Sequence, residues 1–423
     1  MKIKVKQEKF ENVINKSPKK KKIKKPSFLF ALLIRILSIF ELKSVKFQFK
    51  GSIKPFKKQA CLILMNHSCF LDLKIASKIL FPKKYFIVCT TDGFVGKEFL
   101  MRKIGCIPTQ KFVSSLDLIA DMNYCLKHLK TSVLLFPEAG YTFDGKATVM
   151  PKRLGLLVKK LNVPVVSIIT DGAFLHQPLY NNLRLRKNKV TANVKCLVSL
   201  DQVKQLSVGE IDKLIEEQFS FDGFQSQFES KVVIDDKNRA EGLERILYKC
   251  PHCEKEDSML GKGDKITCSA CGATYSLTEL GKLKGENVCE KFTHVPDWYN
   301  WQRDCAREEL LNDYKGFELD VDIKMITDYK ALYSVGQGKL KHDLSGFTLI
   351  GCDGKLNYFQ PSNSSYCLNS DFFWYEIGDV ISIGDKEKLF YCFPKLPYPV
   401  AKARLLVEEL YKLFKENKLS GEK

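Results

Sequence analysis

Arginine is scarce in this chain: only ten of its 68 basic residues are Arg, and the rest are Lys. Histidine and tryptophan are rarer still, at six and three residues. No apolar run approaches the roughly 20 residues that a helix needs to cross a bilayer core of about 30 Å. The longest run, around Phe28–Phe40, gives about 22 Å with its flanks, too short to span comfortably, and carries Arg35 inside it. A Gly-x-Ser-x-Gly elbow is also missing, which removes the serine-hydrolase arrangement. Outside the N-terminal segment there is little excess charge. The net charge is +19, but residues 1–60 hold 18 Lys/Arg against Glu8, Glu11 and Glu41, leaving +4 for the remainder. A basic groove spread over the whole fold is therefore not expected, and no nucleic-acid partner is assigned. Fifteen cysteines are an odd number, mostly single within apolar runs, which points to a reduced compartment and not to a disulfide scaffold.

What is present begins with lysine. Lys19–Lys22, Lys24 and Lys25 precede Pro26-Ser27 and the apolar run, so residues 1–26 read as a disordered basic leader. Residues 27–43 read as an interfacial amphipathic helix, capped by Ser27, with Arg35 snorkelling to the headgroups. No small-residue cleavage site follows Phe40, so the segment is not a signal peptide. Anionic lipid would hold the leader at about 1 kcal/mol per Lys near the surface. The expected location is the cytoplasmic face of a membrane, peripheral or monotopic.

Residues 44–235 alternate between β-branched apolar runs and helix-like segments. Strands are expected at Val45–Phe49, Cys61–Met65, Tyr85–Val88, Ser132–Phe136, Val163–Ile169 and Val190–Leu200. Helices are expected at Leu71–Leu80, Leu116–Leu129, Lys152–Leu161 and 207–219. The fold class is α/β, a mostly parallel sheet covered by helices. Beyond it, residues 247–280 are rich in Cys and Gly. Residues 290–423 read as a small mainly-β domain, compatible with a barrel closed by the amphipathic helix Ala401–Asn417.

The strand Cys61–Met65 runs into Asn66-His67-Ser68-Cys69-Phe70-Leu71-Asp72. His67 and Asp72 lie about 140° apart on a continuous helix, so they meet only if His67 sits in the turn and Asp72 in the first helical turn. That arrangement suits a general base and the carboxylate that fixes its tautomer. The carboxyl end of a strand is where α/β sites collect. Three further blocks follow: Gly105-Cys106-Ile107-Pro108-Thr109-Gln110-Lys111, Phe136-Pro137-Glu138-Ala139-Gly140, and Asn162-Val163-Pro164-Val165-Val166. Gly140–Ala147 comes close to a phosphate-binding loop, but Ala147 lacks the hydroxyl such a loop offers to magnesium.

In their order and spacing the four blocks resemble the glycerolipid acyltransferase family, in particular the 1-acylglycerol-3-phosphate (lysophosphatidic acid) acyltransferases, over about residues 28–220. The resemblance implies that His67 deprotonates a glycerol hydroxyl that attacks an acyl thioester, with Asp72 orienting it. It implies that Lys111, at the family's Arg position, binds the acceptor phosphate, and that Glu138 supports acceptor binding or the site's architecture. Lys is a point charge and not a bidentate fork, so acceptor choice can differ. Ala139-Gly140-Tyr141 stand where the family has Gly-Thr-Arg, so the second Arg is absent, and Lys97 and Arg153 are candidates to replace it. Gly140 and Lys97 join Lys111 and Glu138 as expected substrate contacts. The implied donor is an acyl-CoA or acyl-carrier-protein thioester, with acyl carrier protein a candidate partner, and the acceptor is a lysophospholipid at a membrane surface. The blocks also resemble a bacterial subgroup with a zinc-ribbon extension.

Cys250-Pro-His-Cys253 and Cys268-Ser-Ala-Cys271 are two Cys-x2-Cys knuckles, and four thiolates around one zinc make a closed, structural site. Another lysolipid acceptor, or a non-catalytic membrane-bound adaptor using the ribbon and C-terminal domain, are the competing readings.

Overall fold

The structure, a computed structural model, describes residues 2–18, 21–56, 58–111 and 115–416. Lys19 and Lys20 of the basic leader and Asn417 of the terminal helix lie outside the described residues. After strand β1 (Val5–Gln7), seven strands make the first sheet: β2 (Gln48–Gly51), β3 (Leu62–Met65), β4 (Tyr85–Thr90), β5 (Cys106–Thr109), β6 (Ser132–Leu135), β7 (Val165–Asp171) and β8 (Thr191–Val198). Their order is β2-β8-β7-β3-β6-β4-β5, and every pair is parallel except β7 with β8.

Central β3 is apolar at every position because both of its faces are covered. Ile63 and Met65 share a core with Leu71, Ile75 and Leu80 of the helix Leu71–Leu80. Leu62 and Leu64 face the other way, toward Leu154, Val158 and Leu161 of Leu154–Leu161 and Ile211 and Ile215 of Val208–Gln218. Pro108 cannot donate to a ladder, and it lies on β5 at the sheet edge. Gly105 ends the helix Glu98–Ile104 at φ 98°, where a Cβ would come within 2.6 Å of Pro26 and 2.9 Å of the Tyr85 carbonyl. The helix expected over Leu116–Leu129 is α-helical over Leu116–Asn123 and then widens to a π-turn at Tyr124–His128.

A four-stranded antiparallel sheet carries the cysteine knuckles: β9 (Met259–Lys262), β10 (Lys265–Cys268), β11 (Thr274–Leu277) and β12 (Leu283–Gly285), in the order β12-β11-β10-β9. It therefore runs a few residues past the expected end at 280. The helix Val295–Asn312 leads on to a meander of seven strands: β13 (Phe317–Met325), β14 (Leu332–Asp343), β15 (Gly346–Gly351), β16 (Leu356–Pro361), β17 (Asn369–Trp374), β18 (Gly378–Gly384) and β19 (Leu389–Pro394). First strand β13 pairs with last strand β19, so the meander curls back on itself with its seam between β16 and β17. The helix Val400–Lys415 follows, and its Arg404, Glu408 and Glu409 are buried. Arg303 of Val295–Asn312 donates to Glu408 at 2.7 Å and Arg307 to Glu409 at 3.1 Å, tying the two long helices together.

The disordered leader expected over residues 1–26 is corrected by these contacts. β1 pairs in parallel with β14, Val5 opposite Leu332 and Gln7 opposite Ser334, along an edge that β15 leaves open. Phe10 and Val13 are buried beside it. Farther on, Lys21 meets Glu98 at 2.7 Å, and the Ser27 N–H donates to the Lys103 carbonyl at 2.9 Å. Lysine repulsion is outweighed by a free strand edge and buried apolar side chains, neither of which is local to the leader.

The helix Phe28–Ser44 buries only Ser38 and Leu42, and leaves Leu29 68 %, Leu37 65 % and Phe40 80 % exposed. Among the described residues no helix is long and apolar enough to cross a membrane. The C-terminal sheet packs against the first one: Ile326, Trp374, Tyr391 and Phe393 share a core with Ile63, Met65 and Ile168.

Candidate active site

Asn66 closes β3 by bridging to β7. Its Nδ2 donates to the Thr170 carbonyl at 3.0 Å, and its Oδ1 accepts from the Thr170 N–H at 2.7 Å. The chain then turns, so His67 precedes the helix and Asp72 falls in its first turn. His67 Nδ1 donates to Asp72 Oδ2 at 2.9 Å. The same oxygen accepts the backbone N–H groups of Ser68 at 2.8 Å and Cys69 at 3.2 Å, which fixes the carboxylate before the imidazole reaches it. His67 Nε2 has no protein partner among the described residues.

Glu138 reaches the same turn from the loop after β6. Its Oε2 accepts the backbone N–H of His67 at 2.8 Å, and its Oε1 accepts the Thr148 N–H at 2.9 Å. It is fully buried, and that burial pushes its carboxyl up to about 7. Two rings lie against the His67 imidazole, Phe136 stacked at 26° and Tyr141 tilted at 36°, each with its centroid 4.1 Å away. Two such rings cannot share one face, so the imidazole is held between them. Burial raises the Tyr141 phenol well above its ordinary range, helped by the carboxylates of Asp72 and Asp371.

Lys111 follows β5, two strands beyond β6 in the sheet order. Its Nζ lies 3.2 Å from Asp371 Oδ2, on β17 of the C-terminal sheet. Burial works against its charge, but Asp371 and then Asp92 outweigh it and keep Lys111 protonated. The sequence-expected residues thus form two groups: His67, Asp72 and Glu138 in direct contact, and Lys111 joined to Asp371. Gly140 is buried in the Glu138 loop, its N–H donating to the Glu138 carbonyl at 2.7 Å. Preceding Ala139, where the family motif has Gly, adopts φ 53°. Lys97 caps the helix Glu98–Ile104 through its backbone, and Arg153 is exposed at the start of Leu154–Leu161. Among the described residues, neither side chain bonds to the others of the site. Arg404 comes closer, with Nη1 donating to the Tyr141 carbonyl at 3.4 Å. Arg404, Asp371 and Tyr375, whose hydroxyl donates to Asp92 Oδ2 at 3.1 Å, carry no local sequence signal. They lie in the C-terminal domain, and only the fold brings them here.

The four knuckle cysteines converge separately, their Sγ atoms all within 4.8 Å of one another. Cys250 and Cys271 are 3.8 Å apart, and Cys253 and Cys268 3.7 Å. A zinc with Zn–S bonds of about 2.3 Å has tetrahedron edges of about 3.8 Å, so the donor set and its spacing fit that ion. Cys250 and Cys268 are buried while Cys253 and Cys271 are exposed. Four thiolates leave no coordination position for a substrate.

Residues 45–171 match the family model described as Acyltransferase. The crystal structure of the 1-acyl-sn-glycerophosphate (LPA) acyltransferase, PlsC, from Thermotoga maritima is similar at a TM-score of 0.36 and 16 % sequence identity, covering 45 % of this chain and 78 % of that one. No curated protein matches the chain. All four motif blocks, from Asn66 to Val166, fall within the segment matched by the family model.

Proposed function

We propose that the chain, whose residues 45–171 are an acyltransferase-family segment, moves a fatty acyl group from an acyl thioester to the free hydroxyl of lysophosphatidic acid, giving phosphatidic acid. The observation that carries the reading is the 2.9 Å bond between His67 Nδ1 and Asp72 at the carboxyl end of β3, with Nε2 left free. Nε2 takes the acceptor's hydroxyl proton, and the oxygen attacks the thioester carbonyl. The C–O bond forms, the C–S bond breaks, and the imidazolium returns its proton to the departing thiolate. Asp72 keeps the tautomer that leaves Nε2 basic and balances the imidazolium. No protein nucleophile is needed. Glu138 positions His67 through its main chain, and Lys111 is the cation for the acceptor's headgroup. Coenzyme A and acyl carrier protein are both candidate donors.

The apolar outer surface of Phe28–Ser44, with Lys21, Lys22, Lys24 and Lys25 before it, supports docking on an anionic membrane surface, where such an acceptor resides. A second reading, transfer to a different lysolipid, is favoured by one observation: the Lys111 charge is already matched by Asp371. The test is a panel of lysolipid acceptors with both thioester donors, using purified protein in vesicles. Phosphatidic acid formed by the wild type and lost in a folded His67→Ala variant supports the reading. Product on another lysolipid alone favours the second reading, and product on none favours an adaptor.

A further inference from the structure

Asp371 and Phe372 of β17, and Tyr375 just past its end, reach into the loops around the candidate site. The β17–β18 ladder is regular up to Asp371 opposite Val380 and resumes only at Trp374 opposite Gly378. Phe373 and Tyr375 adopt φ 47° and 49° around this break. A bulge redirects side chains that a regular strand would send to alternate faces. Here Asp371 meets Lys111 at 3.2 Å, the Phe372 ring lies 4.4 Å from Phe143 in the Glu138 loop, and the Tyr375 hydroxyl donates to Asp92 Oδ2 at 3.1 Å. The side chains of Lys111 and Asp371 are only 12 % and 9 % exposed, so solvent and salt screen their attraction weakly.

We infer that Asp371 is a built-in counter-ion at the headgroup cation, one that an anionic acceptor must displace from Lys111, so that the C-terminal domain sets how strongly the site takes a phosphomonoester. This rests on the reading of Lys111 as the headgroup cation. A buried ammonium matched by a carboxylate presents little net charge to a second anion. An incoming phosphate must repel Asp371 away from Lys111 or be accompanied by its protonation, and either lowers the phosphate's affinity. Asp92, which also holds Lys111 charged, remains when Asp371 is neutralised. The isosteric Asp371→Asn change therefore leaves a charged and undercompensated Lys111 and a tighter anion site. Asp371 acts on acceptor choice without any part in the proton transfer assigned to His67.

The test is calorimetric titration of the full chain with glycerol 3-phosphate, with glycerol as the neutral control. Asp371→Asn, and Asp371→Ser in case the first variant folds poorly, are expected to bind glycerol 3-phosphate at least tenfold more tightly than wild type. Adding Lys111→Met to either is expected to abolish the gain. Unchanged, weaker or undetectable binding in folded Asp371 variants overturns the inference, and so does a gain that survives Lys111→Met. In turnover, the KM for lysophosphatidic acid is expected to fall at least tenfold in Asp371→Asn while that for a neutral monoacylglycerol does not. Absence of acyl transfer to every acceptor would refute the proposed reaction, whereas the titration would still decide the role of Asp371.

Discussion

Glu138 holds His67 by its main chain and not by its ring: Oε2 accepts the His67 backbone N–H at 2.8 Å, while the imidazole turns to Asp72. Two carboxylates therefore share one histidine, one fixing where the residue sits and the other which nitrogen carries the proton.

That division has a pH signature. The Glu138 carboxyl titrates at about 7 when folded and near 4.5 when unfolded, because burial penalises its charge. Between those values the folded state holds more protons than the unfolded one, so this group's contribution to stability falls as pH rises, by about 3 kcal/mol across the window. Thermal melts from pH 4.5 to 7.5 should show that decline in the wild type. Glu138→Gln, which cannot titrate, should flatten it, and an equal slope in both proteins would remove Glu138 as its source.

Replacing the base or its orienter should separate chemistry from folding. His67→Ala is expected to lower turnover by a factor of about 10² to 10⁴, the usual range for a positioned general base, with its melting temperature little changed. Asp72→Asn should also lower turnover. It should in addition cost stability, because its Oδ2 accepts the Ser68 and Cys69 N–H groups. Steady-state rates alongside melting temperatures distinguish the two patterns.

Ala139 sits at φ 53° where the related motif has Gly. A side chain in the left-handed region costs about 1 kcal/mol or more, and Gly does not bear that cost. Ala139→Gly should therefore raise the denaturation midpoint, offset in part by the extra freedom Gly has when unfolded. A lower midpoint would mean that the Ala139 methyl makes contacts worth more than the strain.

Metal analysis of the purified chain should find one zinc, lost on Cys268→Ser. Met259, Ile266 and Tyr275 of the ribbon belong to one apolar core with Val321, Ile323 and Leu406 of the C-terminal domain. Losing the ion should thus lower the melting temperature of that whole region, and a variant that melts like the wild type would make the ribbon dispensable.

Leu29, Leu37 and Phe40 are the test of membrane docking. Each buries about 1.5–3 kcal/mol of apolar surface if it enters a bilayer, so changing all three to Ser should cut binding to anionic vesicles at least tenfold. Co-sedimentation measures it, and unchanged binding would exclude this helix as the contact.

The sequence made legible whatever is encoded over a short span. The unbroken apolar run before Asn66 announces a buried central strand, and His67 and Asp72 need only a strand end and one helical turn to meet. The knuckles are as local. What stayed hidden depends on partners remote in sequence. Lys111 and Asp371 are 260 residues apart, and nothing near either marks the other. The lysine-rich leader reads as free because the strand edge that captures Val5–Gln7 lies on β14. Phe136 and Tyr141 stand in or beside a recognised motif, but their rings matter only once the fold brings the His67 imidazole between them.

The pairing of β1 with β14 means that the segment matching the acyltransferase model is spliced into the C-terminal domain and not merely joined to its front. Residues 5–7 and 332–334 close a ring of chain that contains every proposed catalytic residue. Cutting the C-terminal domain away would strip β1 of its partner, and trimming the first residues would uncover an edge of β14. The two halves are therefore poor candidates for separate expression. A tag fused near Val5 sits one strand pairing away from the sheet that delivers Asp371 to Lys111.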